Sequence, residues 1–314
     1  MLGKYVLVVL HKLEHSFACY DLQSGAQLSV RSTREFPHEI CLSPDRSRMY
    51  VAEMGVRGIE SQGPGGHTIA VFDTSSCGQI STIDTGEYDR PHGVATFGHQ
   101  LYVTSESTRH LLVYDLDNEE LIKAVHLDQD CAHMVGINPG GSRAYTANIA
   151  SNSLTEVDTA ALEVVRQIPV PERPEGMAFS PDGKQMFCVC REAKCIAVVD
   201  CGKGSMLKQI ETGRGPVRIA ITPDGKKLAI PLFHAAAVEF VDTASLEVTH
   251  HMEVGPHPAG TCISPDGRLV FISCEDENRV YVFDLDSMSL VRRIRTGKGA
   301  DAMVCLMASE LDFI

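Results

Sequence analysis

A short phrase recurs along this chain of 314 residues, and its spacing constrains the fold more than any other feature. It reads FPHEICLSPD at 36–45, RPHGVATF at 90–97, CAHMVGINP at 131–139 and, most degenerate, KGADAMVCL at 298–306. Aligned on the residue after its proline or alanine, the refrain falls at His38, His92, His133, Glu175, Val217, Ala259 and Asp301. The steps are 54, 41, 42, 42, 42 and 42 residues. The long first step contains the glycine-rich stretch GVRGIESQGPGG, residues 55–66, and without it the period stays near 42 throughout. Self-similarity at about 40–45 residues is the signature of a radial or stacked repeat architecture.

Each unit has one internal order. A short strand leads into a turn written SPDR at 43–46, SPDG at 180–183, TPDG at 222–225 and SPDG at 264–267. Proline presets φ at the first corner of such a turn, and Asp and Gly suit the positions after it. A second strand follows (RMYVAE, QLYVTS, RAYTAN, QMFCVC, LVFISC), then a third ending in aspartate at 73, 115, 158, 200, 242 and 284, then a more polar fourth. Four short strands per repeat predict an all-β, seven-bladed β-propeller with four antiparallel strands in each blade. No 3.6-residue period supports a helical solenoid. The whole of 1–314 reads as one propeller domain, with blades starting near 37, 91, 132, 174, 216, 258 and 300. The last refrain supplies a single strand, whereas residues 4–31 begin in mid-unit with three (YVLVVL, SFACYD and AQLSVR). The two chain ends are therefore expected to complete one blade together and close the ring, which removes the sheet edges an open array would leave.

The second-strand phrases LYVTS (101–105) and AYTAN (144–148), the SPDG turns and the third strands of xVxVxD type resemble the YVTN-type seven-bladed propellers, and in style the lactonase-like propellers. The resemblance covers essentially the whole chain and implies the fold. That wider set includes lactone hydrolases, a muconate-cyclising enzyme and non-enzymatic binding proteins. Its shared motifs are turns and packing positions, so it carries no catalytic residue across.

Blade topology sorts residues by face. The refrain lies where the chain enters the innermost strand, at the mouth of the central channel, on the face shared with the loops between second and third strands. Around the ring the order is Asp301, His38, His92, His133, Glu175, Val217, Ala259, which places five polar, ligand-type residues on one arc. Packing alone has no reason to repeat histidine in three neighbouring blades. His38, His92 and His133 are therefore the expected ligands of a divalent transition metal, zinc, iron or another. Glu175 is the expected fourth ligand or general base, with Asp301 as the alternative carboxylate. On the same face Glu53 and Glu106 stand in position to orient an imidazole. Arg191 and Arg218, with Arg57 in the glycine-rich insertion, offer guanidinium groups for a small anionic or carboxylated substrate. The third-strand aspartates precede turns and are expected to cap backbone N–H groups rather than do chemistry. The insertion at 55–66 reads as a lid over the mouth or a partner-binding loop.

Bulk properties narrow the classes. A formal net charge of −13 argues against nucleic-acid binding, which needs a basic surface. No apolar run approaches the ~20 residues of a membrane-spanning helix, and YVLVVL near the N-terminus reads as a strand rather than a signal peptide. Eleven cysteines without paired CxxC motifs fit free thiols in a reducing cytoplasm. An aromatic content of 6% with no tryptophan counts against a large protein-binding hot spot, whether the chain is a monomer or a dimer. The expected function is a metal-dependent small-molecule enzyme working at the channel mouth. Its reaction would be hydrolysis of a lactone or ester, or lyase or cyclase chemistry on a carboxylated substrate. The alternatives are a metal-dependent oxygenase and a non-catalytic propeller that binds a protein or peptide.

Overall fold

The computed structural model describes residues 2–313. Twenty-eight strands form seven four-stranded antiparallel sheets, and the other regular elements among the described residues are three short 3-10 turns. Blade 1 runs Pro37–Leu42, Arg48–Glu53, Thr68–Asp73 and Gln79–Asp84 from channel to rim. Blades 2, 3, 4 and 6 repeat that order from inner strands Pro91–Phe97, Ala132–Ile137, Pro174–Phe179 and Pro258–Ile263. In blade 5 the inner strand shrinks to Ala220–Ile221, with Pro216 bridged separately to Leu232. Blade 7 is built from both chain ends, as expected. Ala300–Met307 is innermost and pairs antiparallel with Tyr5–His11, Val6 opposite Leu306 and Val8 opposite Val304. Ser16–Asp21 and Gln27–Ser32 complete it.

Alternation along each strand makes the core. In Tyr5–His11, Tyr5, Leu7 and Val9 pack on blade 6 against Leu269, Phe271 and Val280. Val6, Val8 and Leu10 face the other way, onto Met49, Val51 and Phe72 of blade 1. Both faces are covered, so the strand is buried throughout and apolar from Tyr5 to Leu10. The fourth strands lie at the rim and leave residues such as Val30, Ile122 and Leu207 exposed. No helix among the described residues is long and apolar enough to cross a membrane.

The turn chemistry follows the sequence. Asp73 accepts the Ser76 N–H at 2.8 Å, Asp200 the Lys203 N–H at 2.9 Å, and Asp242 the Ser245 N–H at 2.8 Å. These bonds, after the Ser76 hydroxyl in the case of Asp73, hold the three carboxyls below their ordinary value.

Two local devices set the refrain. Phe36, Arg90, Cys131, Arg173, Gly215, His257 and Gly299 each precede an inner strand, and all have φ between +51° and +74°. This left-handed residue turns the chain over the top edge in every blade. The ladder then skips a register step between Pro37 and Glu39, Pro91 and Val94, Ala132 and Met134, and Pro174 and Met177. The refrain residue sits in that bulge, and a bulge re-aims a side chain out of the ladder. In blade 2 the next residue is Gly93, where a Cβ would stand 2.7 Å from the His133 carbonyl oxygen. The missing side chain lets blade 3 close onto blade 2.

Candidate active site

The bulges direct the refrain side chains into a cavity of about 450 Å³ at the channel mouth. His38, His92, His133, Glu175, Val217, Ala259 and Asp301 all line it, together with Arg57, Arg191 and Arg218. Glu106 reaches it through His133, whose Nδ1 lies 2.5 Å from the Glu106 carboxylate. Glu53 is elsewhere. It is buried in blade 1, where its carboxylate accepts the Arg34 N–H at 2.7 Å and the Thr68 hydroxyl at 2.6 Å. It therefore neither lines the cavity nor orients an imidazole.

The imidazoles form a stack. His92 and His133 lie 3.8 Å apart, nearly parallel, and His38 tilts against His92 at 4.8 Å. Each ring has one nitrogen committed to an oxygen. His38 Nε2 donates to the Arg57 carbonyl at 3.1 Å, His92 Nδ1 to the His133 carbonyl at 3.2 Å, and His133 Nδ1 to Glu106. That pattern leaves Nδ1 of His38 and Nε2 of His92 and His133 as lone-pair donors. Burial pushes His38 down to about 3 and His92 well below the ordinary imidazole range, so both are neutral. Candidate ligand atoms of His92, Glu106 and His133 all lie within 4.8 Å of one another, and His38 stands outside that group. The group brought together is thus His92, Glu106 and His133, where the sequence reading expected His38, His92 and His133. His38 is instead engaged by the insertion, through the Arg57 carbonyl.

The two carboxylates expected to move protons are instead held by cations. Glu175 is buried between Arg173 Nε at 3.3 Å and Arg191 Nη1 at 3.2 Å. Asp301 receives Lys12 at 3.0 Å and Arg218 at 3.2 Å, with His38 Nδ1 at 3.7 Å. Burial opposes the Asp301 charge, yet Lys12 and Arg218 hold its carboxyl well below the usual carboxylate range. Arg218 also reaches across the bore to Glu39 of blade 1 and to the Ala259 carbonyl at 3.2 Å, so it forms the cavity floor rather than a free anion receptor. Lys12 bridges Glu275 and Asp301, both at 3.0 Å; burial works against its charge, and the two carboxylates more than restore it.

The insertion covers one side of the mouth, and Arg57, Gly58, Ile59, Glu60 and Ser61 line the cavity. Arg90 ties it down, donating to the carbonyls of Ile59, Ser61, Gly63 and Pro64 at 2.6–3.3 Å. Arg90, which holds the insertion, and Arg173, which lines the cavity, were not singled out in the sequence reading. Their signal was present: both immediately precede the refrain proline, the left-handed position on the top edge.

Residues 131–225 match the model of the YNCE-like β-propeller family. Antigen Lp49 of Leptospira interrogans is 26% identical over 130 residues, which are 39% of this chain and 28% of that protein. A protein named YncE from Salmonella typhimurium is 23% identical over 133 residues, 37% of each chain. The matches thus span about a third of the curated relatives' length. Among solved structures, the periplasmic gluconolactonase PpgL of Pseudomonas aeruginosa superposes with a TM-score of 0.79 at 20% identity, covering 96% of this chain and 99% of that one. The chain therefore folds as a seven-bladed β-propeller, and its residues 131–225 are similar to the YNCE-like β-propeller family.

Proposed function

We propose that this chain is a small-molecule hydrolase of lactone or ester type that works with a divalent transition metal at the channel mouth. The observation that carries the reading is that His92 and His133, backed by Glu106, line one wall of a cavity whose other walls carry guanidinium groups. The donor set fits such an ion. Ligating histidines characteristically donate their second N–H to a carboxylate or a carbonyl, and both His92 and His133 do so. Glu106 Oε2 is in addition buried without a hydrogen-bond partner. When bound, the ion would polarise a carbonyl and make a bound water acidic enough to attack at neutral pH.

The protein groups around it have distinct tasks. His92 and His133 would hold the ion through Nε2, and Glu106, on the Nδ1 side of His133, would keep that ring and its tautomer in place. His38 Nδ1, buried and unpartnered, would accept a hydrogen bond from the attacking water. With an ordinary value pushed down to about 3, His38 orients that water and does not store its proton. Glu175 and Asp301 position Arg173, Arg191, Lys12 and Arg218. Lining side chains comprise five cations (Lys12, Arg57, Arg173, Arg191, Arg218) and four carboxylates (Glu60, Glu175, Glu275, Asp301), an excess that favours an anionic substrate. The likeness in fold to a gluconolactonase is consistent with a lactone.

The test is metal content by mass spectrometry on tag-free protein prepared without chelator and again after reconstitution, alongside lactone hydrolysis. His133→Ala should lose the ion and the activity, and Glu106→Gln should weaken metal binding by ~10–100-fold. Wild-type protein with no transition metal above background after reconstitution would sink the reading.

A further inference from the structure

We propose that Arg173 and Arg191 form the seat for the anionic group of the substrate, and that Glu60 of the insertion occupies this seat when no ligand is bound. The proposal rests on the cavity being the active site and adds to it a subsite with its own internal competitor. Two guanidiniums share one buried carboxylate, Glu175, and the other carboxylates at Arg173, Glu60 at 3.5 Å and Glu192 at 4.0 Å, are open to water. Arg191 Nε is buried with no hydrogen-bond partner. Arg173 is fixed as a receptor: its backbone N–H bonds Asn152 at 2.9 Å, and its side chain is only 23% exposed.

Glu60 brings its carboxylate to 3.5 Å from Arg173 Nη2, yet its own side chain is 84% exposed. An ion pair open to water on one side is weak and exchanges readily. Its removal does not require the loop to unfold. Arg90 grips the carbonyls of Ile59, Ser61, Gly63 and Pro64 and leaves that of Glu60 free. The contact also stands at a doorway. A second cavity of about 530 Å³ adjoins the first, and the two share Ile59, Glu60, Ile149 and Arg173. A carboxylate or phosphate group entering there would replace Glu60 on Arg173 and gain Arg191 beyond it, in the fork-like geometry that guanidiniums offer oxyanions.

The experiment measures binding of inorganic phosphate and, separately, of gluconate to chelator-treated full-length protein by calorimetry. Metal chemistry is thereby kept out of the readout, and the tighter of the two probes tells phosphate from carboxylate as the preferred group. Glu60→Gln, an exposed loop change, should tighten binding by about threefold. Arg173→Gln should weaken it by ~10-fold or more. His133→Ala should bind either anion as the wild type does, so loss of hydrolysis in that variant would report on the metal reading alone. Equal affinity in Glu60→Gln and wild type, or an unchanged affinity in Arg173→Gln, would overturn the proposal.

Discussion

Glu53 ends the second strand of blade 1, whereas Glu106 is the first residue past the second strand of blade 2, and that one-residue difference decides their roles. Glu53 is the last strand residue, opposite Pro37; its counterpart in blade 2, opposite Pro91, is Ser105. The chain leaves the ladder after Ser105, so the next side chain is free of the strand's alternation. Glu53 therefore turns into the blade and holds the Arg34 N–H and the Thr68 hydroxyl, while Glu106 emerges on the top face and reaches His133 of the next blade. Glu53→Ala should cost about 1.5–3 kcal/mol of stability, because it strands a buried N–H and hydroxyl, and should leave metal content unchanged. Urea unfolding and metal analysis of the same sample check both halves. Glu106→Gln, with the same side-chain volume, should show the opposite pattern.

At the scale of elements, the site is made by the junction between blades 2 and 3. The His133 carbonyl accepts both His92 Nδ1 and the Thr104 hydroxyl, the latter at 2.6 Å, and the Gly93 N–H bonds the same hydroxyl at 2.8 Å. Gly93→Ala would drive a methyl group against the backbone of residues 133–135. Overpacking of this kind costs about 1–3 kcal/mol. It should also separate His92 from His133 and abolish metal binding, measured by reconstitution and mass spectrometry. The insertion depends on a different element, the residue before the blade 2 refrain. Arg90→Ala removes four carbonyl contacts from the loop. Limited proteolysis should then cut within residues 55–66 at least ~10-fold faster than in the wild type, while the midpoint of global unfolding barely moves.

For the molecule as a whole, closure of the ring carries a pH dependence. His11, in the N-terminal strand of blade 7, accepts the Gly297 N–H at 3.2 Å and contacts the Tyr20 hydroxyl at 3.0 Å, joining the seam to blade 6. Burial lowers its ordinary value of 6.5 to about 4. The unfolded chain therefore binds a proton that the folded chain refuses between these limits. Stability is fully present above pH 6.5 and falls as the pH drops through the window toward 4, by up to ~3 kcal/mol from this group. His11→Gln, which keeps an acceptor and cannot titrate, should flatten the slope of urea midpoint against pH between 7 and 4. An unchanged slope would locate the proton uptake in other buried histidines.

The architecture was legible in the sequence because a propeller repeats its local rules. The 42-residue period, the SPDG turns and the third-strand aspartates are each set by contacts within a blade, and the divided seventh blade follows from where the repeat begins and ends. The arc of refrain residues was legible for the same reason, since equivalent positions in a ring must face one channel. Their partners were not. Glu106 bonds His133 across 27 positions, Arg218 reaches Glu39 across 179, and Lys12 joins Glu275 across 263. Such pairs depend on how far each blade turns from its neighbour and on which side-chain lengths meet over the bore. The sequence by itself determined seven blades, their seam and a polar arc at one mouth. Only the tertiary structure decided that Glu106 joins the imidazoles, that the Arg57 carbonyl engages His38, and that Glu175 and Asp301 are bound by cations. Those outcomes are set between blades, where no local period applies.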